Sequence, residues 1–182
     1  MILSLIAAVS VFFSVSMAAA DGNTYQQKID TFAANAFAVN DGEFPKESYK
    51  TLEELTAHQG KPERAARISD RLLFREGDYW LGLEYPDKYL QYYYSSLKDA
   101  FFVRMRRFFA NDVTYKYGIR IGMTEEALMQ TLGVNSGRER SDNGAEVWYY
   151  PDVGNVQLIF RFTPRHELEA ITIVNEGVKG SQ

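Results

Sequence analysis

Apolar and polar positions along this chain alternate in two ways, at helical spacing in a few short stretches and at strand spacing in many more. Tyr25, Ile29, Phe32, Ala33 and Phe37 recur at close to 3.6 residues, which predicts an amphipathic helix over 21–40. Asp41-Gly42 ends it, and Pro45 marks the loop beyond. A second, shorter helix is predicted over about 51–58, in Thr-Leu-Glu-Glu-Leu-Thr-Ala-His, closing at Gly60 with Pro62 just after. From residue 69 the pattern changes. Strands are predicted at 72–74, 79–85 and 89–95, separated by the turns Glu76-Gly77-Asp78 and Pro86-Asp87-Lys88.

Residues 96–109 fit either period. Leu97, Phe101, Met105 and Phe108 make an amphipathic helix, whereas a turn at Leu97-Lys98-Asp99 would lead into a strand over 101–108. An extended piece at 117–121 then enters Gly122-Met-Thr-Glu-Glu-Ala-Leu-Met-Gln-Thr-Leu-Gly133. Thr124 suits the N-cap, Glu125 and Glu126 suit the positive first turn, and Gly133 terminates. So short a helix is marginal in water and must dock onto something else. Strands follow at 134–141, 145–150, 156–162 and 168–174, with Asp142-Asn143-Gly144 the strongest hairpin signal.

The two halves share an order of features. Thr51-Leu-Glu-Glu-Leu matches Thr124-Glu-Glu-Ala-Leu, and each short helix ends in Gly. A turn glycine, a tryptophan and Tyr-Pro-Asp follow in both, as Gly77, Trp80 and Tyr85-Pro86-Asp87, then Gly144, Trp148 and Tyr150-Pro151-Asp152. This suggests a tandem duplication, which resolves the ambiguous segment: the second copy ends in a strand, so 101–108 is predicted as one. The expected fold is α+β, two tandem units of short helix plus antiparallel sheet. The units divide as 21–110, with the N-terminal helix and a divergent first copy, and 111–182.

Ile121-Gly122-Met123-Thr124 with Leu132-Gly133, followed by a Trp-Tyr hairpin and Leu-x-Phe, resembles the SmpA/OmlA (BamE-like) domain of outer-membrane assembly lipoproteins. The resemblance covers about residues 117–175. In tandem it is similar to the beta-lactamase-inhibitor (BLIP-like) arrangement, whose paired units join into one sheet. It implies a protein-binding role in the cell envelope, in outer-membrane assembly or enzyme inhibition. Two departures stand out. The lipoprotein cysteine is absent, so attachment by acylation does not carry over, and the first copy has Tyr49-Lys50-Thr51 in place of Gly-Met-Thr.

Composition adds limits. The 182 residues are 46% hydrophobic and 14% aromatic, enough for a core without disulfides, and none is cysteine. A net charge of −4 gives no basic stripe for nucleic acid. Residues 1–20 carry no charged side chain and end in Ala18-Ala19-Ala20, which reads as a cleaved export signal and places the protein in the periplasm or outside the cell. The alternative is an uncleaved membrane anchor, the one route by which a membrane becomes a partner.

Chemistry is sparse. His58 and His166 are the sole histidine bases, one at a helix end and one in a turn, and each reads as a surface residue. Glu53-Glu54 and Glu125-Glu126 are adjacent on their helices and do not face each other, so capping explains them better than catalysis. No nucleophile elbow, phosphate loop or zinc spacing occurs. The expectation is a protein that is not an enzyme and takes neither cofactor nor metal. Arg104, Arg106 and Arg107 form a basic cluster, read as a solvated strand face or as a match for an acidic partner patch.

Strand parity carries the functional expectation. With Leu90, Tyr92 and Tyr94 facing the helices, Gln91 and Tyr93 fall on an open face, together with Gln157, Ile159 and Arg161. Glu84 shares a side with Trp80, and Glu146 shares one with Trp148 and Tyr150. Aromatics mixed with Gln, Glu and Arg have the composition of interface anchors. Partner binding is therefore expected at Trp80, Tyr93, Trp148, Tyr150 and Arg161. A small-ligand carrier with a cavity between sheet and helices is the alternative.

Overall fold

A computed structural model describes Tyr25, Gln27, Lys28, Ile29 and Thr31 and residues 48–68, 75–150 and 156–175. The expected export signal, the strand at 72–74 and the turn at 151–155 lie outside the described residues.

Two eight-residue helices form where the capping residues predict them. In α1 (Leu52–Gln59) the Thr51 hydroxyl accepts from the Glu54 amide at 3.0 Å, and the Glu54 carboxylate accepts from the Lys50 amide. In α2 (Glu125–Leu132) Thr124 accepts from the Ala127 amide, and Gly133 leaves at a φ of 82°. That glycine is needed twice over, because a Cβ there would stand 2.7 Å from the Tyr25 ring. The stretch before α2 is held by the turn ahead of the last strand. Gly122 donates to the Leu168 carbonyl, and Leu168 donates to that of Met123, both at 2.7 Å.

The strands are β1 (Ser48–Tyr49), β2 (Arg64–Ile68), β3 (Tyr79–Glu84), β4 (Lys88–Ser95), β5 (Ala100–Phe108), β6 (Gly137–Arg140), β7 (Glu146–Tyr149), β8 (Val156–Phe162) and β9 (Leu168–Asn175). They join one antiparallel sheet in the order β2-β3-β4-β5-β9-β8-β7-β6, with β1 beside β9 on the same edge of β5. This overturns the expectation of two tandem α+β units. The described residues are mostly strand: nine strands form one antiparallel sheet, and the two helices are only eight residues each, so helix and sheet do not balance as in α+β units. The strand predicted at 101–108 is present as β5. Two strands were not predicted, β1 and β2, and the one predicted over 134–141 shrinks to β6.

Both helices lie on one side of the sheet. Leu55 of α1 packs with Tyr49, Leu83, Leu90 and Tyr92, and Leu128 and Leu132 of α2 pack with Trp148, Tyr150, Phe160 and Phe162, all fully buried. Ile29, from the helical residues near the N-terminus, joins the second cluster. Each buried leucine contributes roughly 2 kcal/mol, which is what holds helices this short in place.

Two bulges set which residues face away. In β5, Val103 pairs with Tyr92 and Arg106 with Leu90, so both face the helices. The two residues between them, Arg104 and Met105, therefore both face the other side. In β9 the same happens to Glu169 and Ala170, between Leu168 and Ile171. The basic cluster is thereby split: Arg106 is buried on the helix side, and Arg104 and Arg107 are on the opposite one.

Candidate functional site

Register defines the helix-free face as rows running across the strands. One row reads Arg64, Glu84, Tyr89, Arg107, Thr172, Ile159 and Tyr149, each directly opposite the next. Beside it run Gly82, Gln91, Met105, Val174 and Gln157. At one end lie Ile68, Trp80, Tyr93 and Phe102, and at the other Ala170, Arg161 and Val147. Among the described residues no helix or strand packs on this face.

The aromatic end is an apolar strip. Trp80 rests against Tyr93 with centroids 5.2 Å apart, both Trp80 and Phe102 are half-buried, and Ile68 is 54% exposed. Tyr93 itself is only 6% exposed. Its hydroxyl donates to the buried Asp78 carboxylate, which also accepts from the Ser96 amide and hydroxyl at 2.7 Å. Tyr93 thus supports Trp80 from beneath more than it offers its own surface.

The polar row is held by its own contacts. Arg64 lies 3.9 Å from Glu84, and the Arg107 Nε donates to the Thr172 hydroxyl at 3.2 Å. The Tyr149 hydroxyl donates to Glu139 at 3.1 Å. Burial, then the Glu84 carboxylate, push the Tyr89 phenol above its ordinary value, and Arg107 pulls the other way. Arg161 is exposed and pairs with Glu169 at 2.5 Å, a surface pair worth little by itself.

Two expected contact residues are misplaced. Trp148 and Tyr150 are each 1% exposed and face the helices. The Trp148 indole donates to Glu146 at 3.0 Å, and the Tyr150 hydroxyl donates to the Gly133 carbonyl at 3.1 Å, at the end of α2. Burial pushes the Tyr150 phenol well up. These two fill the core under α2 and present nothing to a partner.

The chemistry around Glu146 is structural. It accepts from the Trp148 indole and from Arg140 Nε at 2.7 Å and Nη2, with Arg138 at 3.7 Å and stacked over the Trp148 ring. The indole hydrogen bond first, then Arg140, hold its carboxyl below the ordinary range, while burial opposes them. Glu146 has almost no accessible surface yet stands one strand from the sheet's edge, so water screens the cluster in part. His166 meets Glu125 at 2.9 Å in an exposed turn, and His58 lies against Tyr49. Among the described residues no three His, Asp or Glu side chains converge as metal ligands, and no helix is long and apolar enough to cross a membrane.

No protein-family model and no curated protein matches the chain. Among solved structures it is similar to a DUF4309 family protein, YjgB, from Bacillus subtilis, at 16% identity and a TM-score of 0.44, over 82% of this chain and 99% of that one. It is also similar to an SCP-domain protein from Bacillus anthracis, at 16% identity and a TM-score of 0.42, over 69% of this chain and 43% of that one. The latter is described as an extracellular protein. The expected membership of the SmpA/OmlA (BamE-like) and BLIP-like group is therefore corrected: no model of that family matches the chain.

Proposed function

We propose that this is an exported protein that binds another protein through the helix-free face of its sheet, in the cell envelope or outside the cell. The observation that carries the reading is the part-exposed strip of Ile68, Trp80 and Phe102 on a face that no described element covers. Such a strip in water is a liability unless a partner covers it, and a sheet holds it rigid, so little ordering is lost on binding. Trp80 is the aromatic anchor, Tyr93 its support and Arg161 a contact at the far end. Export rests on the uncharged residues 1–20 and their alanine-rich end. The reading involves no catalysis.

Affinity capture from an envelope or culture fraction, followed by titration of the recovered partner, tests it. Trp80→Ala is expected to weaken binding by about 2 kcal/mol or more, with a smaller loss in folding stability. Unchanged affinity would remove the face from the account. N-terminal sequencing of the exported protein is expected to begin at Asp21, and retention of Met1 in membranes would favour the anchor.

A further inference from the structure

Charges on the helix-free face are unevenly matched. Arg64 has Glu84 and Arg161 has Glu169. The Arg104 Nη1 donates to the Asn175 carbonyl. Arg107 differs from Arg64 and Arg161. It is exposed on the central strand, its Nε donates to the neutral Thr172 hydroxyl, and among the described residues no carboxylate pairs with it. The Thr172 bond fixes the guanidinium at one nitrogen and leaves both Nη groups for a ligand, in the geometry that suits a carboxylate.

We propose that Arg107 receives a carboxylate of the protein partner, so that the segment docking here is acidic, with an apolar side chain for the strip at Trp80. This rests on the docking face proposed above. The same face argues against other anions. A nucleic acid or an anionic membrane needs an array of cations, whereas the arginines here share the face with Glu84, Glu139 and Glu169, which would repel a phosphate array.

Peptides selected from a displayed random library on the full chain provide the probe. The enriched peptides are expected to contain Asp or Glu next to an aromatic or aliphatic residue. Arg107→Gln is expected to weaken the best peptide about tenfold, and Glu→Gln in the peptide to do the same. The two changes together should cost no more than one, and the unfolding midpoint should not move. Rising ionic strength should weaken wild-type binding and spare the Arg107→Gln protein. Peptides lost on Trp80→Ala but indifferent to Arg107→Gln would overturn the carboxylate assignment and leave the face standing. Peptides indifferent to both changes, or no enrichment at all, would overturn both proposals. Tighter Arg107-dependent binding to an RNA oligomer or to phosphatidylglycerol vesicles, or Arg107-dependent self-association, would overturn the acidic-protein partner.

Discussion

Tyr89 lies across Gly82 on the helix-free face: a Cβ on the glycine would stand 2.6 Å from the Tyr89 hydroxyl and 3.3 Å from its ring. Their register is diagonal, since Tyr89 is directly opposite Glu84, two residues further along β3. A mid-strand glycine has no side chain to pack, and the tyrosine ring supplies the cover. The result is a flat aromatic beside Arg107 rather than one standing free in solvent.

Gly82→Ala should displace that ring and destabilise the fold, whereas the same change in a Tyr89→Ala background should cost much less. A urea-denaturation cycle over the four proteins is expected to give a coupling of about 1 kcal/mol. Additive effects would mean that the ring does not rest on the glycine.

The two tryptophans should separate by role. Trp148→Ala opens a cavity beneath α2 and strands Glu146, so a loss of about 3–5 kcal/mol is expected. Trp80→Ala removes a half-buried ring from an open face, with less than about 2 kcal/mol expected from lost burial. Comparing urea midpoints checks the order, and equal losses would contradict the two placements.

Glu146 makes stability depend on acid. Its folded-state carboxyl titrates below its ordinary value of 4.5, chiefly through the Trp148 indole bond and then Arg140. Its contribution is therefore present above that value and lost as pH falls through the folded one. The wild type should lose stability more steeply than Glu146→Gln below about pH 4.5 in denaturation at stepped pH. Parallel slopes would show that the carboxylate is not held ionised by the fold.

Which of these features could be read in the chain depends on what alternation can and cannot say. Parity correctly put Gln91, Tyr93, Gln157, Ile159 and Arg161 on one face and Leu90, Tyr92 and Tyr94 on the other. It also grouped Glu146 with Trp148 correctly, but parity within one hairpin cannot say which side a helix will cover. That choice depends on α2, whose Leu128 and Leu132 settle onto Trp148. In β5 the bulge at Arg104 breaks the period of two, which is why its apolar residues mimic helical spacing. The edge strand β2, Arg-Ala-Ala-Arg-Ile, is exposed at most positions, so no apolar alternation marks it.

Docking of a partner on the helix-free face is open to test by cross-linking from defined positions. A photo-activated residue placed singly at Tyr89, Phe102 or Gln157 samples that face, and one at Ala57 or Glu126 samples the helix side. Irradiation of the full-length protein in its own cells should yield one protein adduct from the first three positions and none from the other two. Adducts from Ala57 or Glu126 alone, or equally from all five positions, would contradict the account.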